Sequence, residues 1–153
     1  MPFQEGIDFA ARAQAADVLV SHYENPAVTL ARGGALRYPG VEVLNNGTHA
    51  LPPQTVTVTL PAGSGLLFGT PAAPDHQLTV RDATGNDTQY HGTVSVDGQS
   101  LTFTNVDLRV PSGQSQSVMW VCVSADSTAP LGPTSVEFSI GTRTSPSTTL
   151  DIV

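Results

Sequence analysis

The sequence predicts an all-β protein, a single antiparallel sandwich of roughly 7–9 strands. Three observations predict it. Turn residues recur about every ten residues along the chain, at Asn25-Pro26, Gly33-Gly34, Asn45-Asn46-Gly47, Pro61-Ala62-Gly63 and Asp97-Gly98. The segments between them are too close for βαβ crossovers, which need about a dozen or more connecting residues. Several of these segments alternate apolar and polar residues with a period of two, the repeat of a half-buried strand. Charged residues are only 12% of the chain, against roughly 25% in an average domain. Ser, Thr, Gly and Pro take their place, which favours short strands over long helices.

Taken in order, the chain begins with the one helix candidate. Phe9, Ala13, Ala16 and Val20 recur at spacings of three and four, so a short helix is expected over 7–16. A strand is expected from Asp17 to Tyr23, where Val18 and Val20 alternate with Leu19 and Ser21. Val28-Thr29-Leu30 is a short extended piece after Asn25-Pro26. Leu36 to Leu44 reads as a strand that Pro39-Gly40 must kink. Thr55 to Leu60 is the cleanest alternation: Val56, Val58 and Leu60 inward, the threonines outward. Leu66 to Phe68 is brief. Gln77 to Arg81 carries Leu78 and Val80 inward, and 82–87 is a polar hairpin loop. Thr88 to Val96 and Ser100 to Val110 flank Asp97-Gly98, a dipeptide that suits a type I′ turn. Ser117 to Ser124 is apolar on both faces, as in a central strand. Val136 to Ile140 alternates again, and Leu150 to Val153 closes the series.

The core expected from these phases is Val41, Val43, Val56, Val58, Leu60, Leu101, Phe103, Val118, Trp120, Val136, Phe138 and Ile140. With 153 residues there is room for one such core. We divide the chain into an N-terminal extension, 1–15, and one sandwich domain, 16–153.

Charge narrows the partners. The six basic residues are all Arg, the net charge is −7, and no basic run exists. Phosphate backbones therefore meet no electrostatic footprint, and nucleic acid is not an expected partner. No apolar run approaches the about 18 residues of a membrane span, so no membrane insertion is expected. The absence of Lys fits GC-rich codon usage, as in an actinobacterial genome. The N-terminus lacks the basic start and apolar core of a leader. A secreted or cell-surface protein whose leader is absent from this chain is the expectation, with a cytoplasmic location as the alternative. The lone Cys122, between Val121 and Val123, is expected to be a buried structural thiol.

Ala16-Asp17-Val18, Pro26-Ala27-Val28-Thr29, Gly33-Gly34, Val41-Glu42-Val43-Leu44-Asn45-Asn46-Gly47 and Val56-Thr57-Val58-Thr59-Leu60-Pro61-Ala62-Gly63 follow in that order, then Pro111-Ser112-Gly113-Gln114-Ser115 and a late apolar strand. This ordered set resembles the immunoglobulin-like conserved repeat domain of bacterial and archaeal cell-surface proteins. It covers about residues 16–141. The resemblance implies an immunoglobulin-like sandwich serving as a spacer, stalk or adhesive module, and it brings no catalytic residues.

Candidate chemistry is sparse. His22, His49, His76 and His91 lack the spacing that converges ligands on zinc. Asp82, Asn86 and Asp87 share one polar loop and are the weak candidates for calcium, although an Asx-rich hairpin explains them. Asn46-Gly47-Thr48 and Asn86-Asp87-Thr88 match the glycosylation triplet and are taken as turns. No Gly-x-Ser-x-Gly elbow and no phosphate-cradling loop occurs. Trp120 is expected in the core; its alternative is a sugar-stacking platform with Tyr38 or Tyr90, so carbohydrate is the one small ligand kept in view. The function expected is a non-catalytic structural or protein-interaction module, working without metal or organic cofactor. A carbohydrate-binding module, then an enzyme or accessory factor on a sandwich scaffold, are the alternatives. Lys, the usual guard of sheet edges, is missing, and prolines stand beside strand ends. A protein partner or second copy is thus expected on an edge strand or a Thr/Ser-rich sheet face, with Asp17 to Leu30 the foremost edge.

Overall fold

The computed structural model describes residues 18–22, 28–45, 49–110, 115–141, 143–144 and 148–153. The helix expected over 7–16, the Asn46-Gly47 turn and residues 111–114 lie outside them. Every regular element among the described residues is a strand. One sheet orders β1 (Val18–His22), β3 (Gly40–Asn45), β10 (Ser115–Trp120), β6 (Gln77–Arg81) and β7 (Asp87–His91). The other orders β2 (Val28–Leu30), β14 (Thr148–Ile152), β12 (Gly132–Ile140), β4 (Gln54–Thr59), β9 (Ser100–Val106) and β8 (Thr93–Val94), with β13 (Arg143–Thr144) beside β12. A two-stranded piece joins β5 (Leu66–Phe68) to β11 (Val123–Ala125). The expected sandwich is present. Among the described strand pairs one is parallel: β14 runs alongside β2, Leu150 opposite Val28.

The core lies between the inner faces. In the second sheet, Val58 stands between Phe138 and Leu101, and Val56 between Ile140 and Phe103. All six are buried. Thr57 and Thr59 of β4 alternate with them and stay partly exposed. Their cross-strand neighbours are Ser139 and Thr102, and Glu137 and Ser100. The alternation read from Thr55 to Leu60 is the one observed.

The described residues form fourteen strands where roughly nine are expected, in part because long segments change sheets. Thr88 to Val96 breaks at Gly92: β7 belongs to the first sheet and β8 to the second. Ser117 to Ser124 changes neighbour after Trp120: β11 takes β5 where β10 had β6, while Val123 stays paired with Arg37. The first region, Val18 to Leu30, likewise supplies the edge of one sheet with β1 and of the other with β2. Leu36 to Leu44 keeps its register through Pro39. Arg37 exchanges two backbone hydrogen bonds with Val123, and Gly40 pairs with Trp120.

Two core assignments are overturned. Val118 and Trp120 are only partly buried, whereas Met119 (0% exposed), Ser117 and Val121 face inward. The strand Val118-Met119-Trp120-Val121 is apolar in both phases, so alternation cannot choose between them. Its neighbours choose: Met119 pairs with Val41 and Val80, both fully buried. Trp120 pairs with Gly40, which has no side chain to compete for space; a methyl there would lie 2.9 Å from the Trp120 Cβ.

The Asp97-Gly98 turn also differs. Only Asn105 and Arg109 among the described non-glycine residues have positive φ, so Asp97 lacks the left-handed conformation a type I′ turn requires. Gly98 alone adopts it, at φ 74°. The Gly98 amide donates to the Ser95 carbonyl at 3.0 Å, and the Ser95 amide to Ser100 at 2.9 Å. The 82–86 hairpin repeats this pattern: the Gly85 amide donates to Asp82 and the Asp82 amide to Asn86, both at 3.0 Å. In each loop the single glycine carries the positive φ that bends the chain back into its strand.

Candidate functional site

The described ion pairs gather on the outward face of the first sheet and at its hairpin. Strand alternation puts Glu42, Val118, Trp120, Thr79, Arg81, Asp87, Gln89 and His91 outward, opposite the buried Val41, Val43, Met119, Leu78 and Val80. Arg81 and Asp87 are directly opposite each other on β6 and β7. Their side chains form a two-pronged pair, Nε to Oδ1 at 2.7 Å and Nη2 to Oδ2 at 3.0 Å. The Arg81 hydrogen bonds hold the Asp87 carboxyl below the usual carboxylate range. The Arg81 guanidinium also lies over the Trp120 indole, 5.0 Å from its centroid, a cation–π contact. Nearby, the Gln116 amide donates to Glu42 at 2.6 Å.

Asp82, Asn86 and Asp87 are organised by hydrogen bonds within the chain. Asp82 Oδ1 accepts from the Thr84 hydroxyl at 2.6 Å and from the Thr84 and Asn86 amides at 3.0 Å. The Thr84 hydroxyl, then the Asn86 amide, lower the Asp82 pKa. Its other oxygen lies 3.4 Å from Arg109 Nη1. Asn86 offers its carbonyl to Arg109 Nη2 at 3.0 Å, and Asp87 is committed to Arg81. Among the described residues, no three His, Cys, Asp or Glu side chains gather as a metal-binding group.

Sequence reasoning missed Arg109. Its Nη2 also donates to the Val80 carbonyl at 3.0 Å. One guanidinium thus ties the segment after β9 to β6 and to the 82–86 hairpin. Its backbone is left-handed, φ 53°, and its amide donates to Asp107 Oδ1 at 2.9 Å. Asn45 was seen only as a turn residue. It is fully buried, and its amide donates to the His49 carbonyl at 2.8 Å and the Val110 carbonyl at 2.9 Å. No local pattern marks either role, because their partners at Val80 and Val110 are far off in sequence.

The three candidate platform aromatics separate. The unbroken register from Arg37–Val123 to Gly40–Trp120 puts Tyr38 and Trp120 on one side of the sheet, flanking Gly40. Tyr38 is 54% exposed. Tyr90 is on the other side, packed against the core. Its hydroxyl donates to the Asp107 carbonyl at 3.2 Å and accepts from the Asp107 amide at 3.1 Å. Cys122 is a buried free thiol, as expected. Burial pushes its pKa up, and Asp75 adds to the rise.

Two hollows among the described residues are open surface depressions. One of about 370 Å³ lies between Gly33-Gly34, Thr70-Pro71 and Asp126. Another of about 280 Å³ lies where β6 turns away from β10, at Arg81, Asp82 and Gln116.

No protein-family model and no curated protein matches the chain. Solved structures do. The major pilin subunit BcpA of Bacillus cereus aligns with a TM-score of 0.59 at 14% identity, over 90% of this chain and 41% of that one. Its D312A form gives 0.56 at the same identity and the same coverage. The C-terminal domain of the Streptococcus pyogenes antigen I/II-family protein AspA gives 0.48 at 13% identity, over 90% of this chain and 46% of that one. The chain spans less than half the length of each, and at these identities its likeness to BcpA is one of fold: a β-sandwich shared with part of a pilin subunit.

Proposed function

We propose that this domain is a non-catalytic structural or protein-interaction module of a bacterial surface or secreted protein. The observation that carries the proposal is the sandwich it has in common with part of the BcpA pilin subunit. The use of its charges agrees with this. Arg81, Arg109, Asp82 and Asp87 spend their hydrogen bonds joining β6, β7 and the residues after β9. Such bonds brace strands against one another. The partner meets an edge strand or the Thr/Ser face of the second sheet, where Thr57, Thr59, Thr102 and Ser139 stand side by side. Among the described residues, β1 is an edge of the first sheet, beside β3, and β2 an edge of the second, beside β14. Antibodies raised against the purified domain, applied to intact and to permeabilised cells of the source organism, test the location. Equal labelling of both is expected. Labelling only after permeabilisation would overturn the proposal.

A further inference from the structure

The other side of the first sheet ends in β7, and its backbone pattern is self-complementary. The Gly92 amide donates to the His76 carbonyl at 2.8 Å, and the Asp82 amide to the Asn86 carbonyl at 3.0 Å. Between these two bonded pairs the ladder β6–β7 runs without a register shift. Bonded and non-bonded pairs alternate in an antiparallel ladder. Thr88 and Tyr90 therefore spend their amides and carbonyls on Val80 and Leu78. Asp87, Gln89 and His91 turn theirs outward, to the open edge. β7 carries no Pro, no Lys and no bulge to blunt that edge.

From this geometry we infer that β7 pairs with β7 of a second copy of the chain, antiparallel, about a two-fold axis at Gln89. This rests on the proposal that the domain works through an edge strand, and it names that edge and its occupant. The arithmetic of the register fits. A two-fold at Gln89 sets Gln89 against Gln89 of the other copy and Asp87 against its His91, twice. These are the three residues whose backbone groups are outward, so each such pair can exchange both its hydrogen bonds. Their side chains are all exposed on one face of the sheet. There the acid of one copy meets the imidazole of the other, and Arg81 of each copy flanks its own Asp87. Across the seam each Asp87 carboxylate stands between its own Arg81 guanidinium and the other copy's His91 imidazole, a favourable cross-strand order. A two-fold is also the closed symmetry, so pairing stops at two.

Sedimentation equilibrium of the purified domain from micromolar to millimolar concentration tests this. A monomer–dimer equilibrium is expected. Gln89→Pro removes an amide that β6 does not use, so the monomer keeps its ladder while the dimer loses its central bonds. Dissociation at least about tenfold easier is expected, with an unchanged circular dichroism spectrum. His91→Asp sets two acids against each other and is expected to weaken the dimer also; it decides the matter if the proline variant does not fold. A wild-type protein that stays monomeric at millimolar concentration would overturn the inference. So would a dimer that folded variants leave intact, since it would lie on another edge. A monomer still displayed on intact cells would remove this interface and leave the surface module standing.

Discussion

Trp120 and Met119 are adjacent residues with opposite environments, and size does not explain which goes in. Met119 is enclosed by Val41 and Val80; Trp120 lies outward beside Gly40 and beneath Arg81. A buried methionine cut to alanine leaves a cavity, at a cost of about 2–5 kcal/mol. Val118, on the outward side, loses less area and leaves no cavity, so Val118→Ala should cost under about 1 kcal/mol. Urea unfolding of the two variants checks the phase of this strand. A larger loss for Val118→Ala would return the strand to the phase expected from its sequence. That expectation failed for a physical reason: four successive apolar residues fit both faces, and the polar Ser117 turns inward with Met119. Where Thr alternates strictly with Val, as over Thr55 to Leu60, the sequence contained the answer. Of the candidate site residues, the polar loop at Asp82 was legible from its Asx and Gly content. The guanidinium that anchors it, Arg109, was not, because its partners are distant in sequence.

At the scale of elements, the two glycine hairpins and the sheet-changing strands set the architecture. Gly92 lets β7 pass into β8 because the Phe103 ring fills the space beside it; a methyl there would be 2.6 Å from the ring. That requirement is set by tertiary packing, and a run such as Thr88 to Val96 reads as one strand without it. Both hairpins are closed by an acid on its own loop. The Ser95 hydroxyl, then the Gln99 amide, lower the pKa of Asp97. The Thr84 hydroxyl does the same for Asp82, and Arg81 for Asp87. Each folded pKa lies below its unfolded value. Their contribution to stability is therefore fully present above the ordinary Asp value of about 3.9, and is lost as pH falls through the lower folded values. Carboxyl-carbon NMR titration should show all three shifted downward, and the melting temperature should fall on acidification below about pH 4. Any of the three titrating at or above the ordinary value would contradict these loop geometries.

Across the whole molecule, the second sheet is closed by strands from opposite regions of the sequence. β2 has one neighbour, β14, and β14 has two, β2 and β12. Leu30 hydrogen-bonds to Val153, whose amide donates to the Leu30 carbonyl at 3.0 Å, and Arg32 donates to the Val153 carbonyl at 3.3 Å. Leu30, Leu150 and Ile152 all lie in the single core cluster that joins the two sheets. Removing residues 148–153 therefore does more than shorten the chain. It strips two buried side chains, each worth about 2–5 kcal/mol by comparison with large-to-alanine substitutions. It also leaves β2 without a partner and bares one side of β12 along Gly132 to Val136. Those losses approach the whole of an ordinary domain's stability, about 5–15 kcal/mol. The chain lacking 148–153 is expected to lose its cooperative thermal transition and its dispersed amide NMR spectrum, and to bind a dye that reports exposed apolar surface. A cooperative transition within a few degrees of the full chain would show that β14 is an ornament on a sandwich closed by other contacts. The parallel pair β2–β14, which the sequence pattern does not announce, would then have no part in holding the fold.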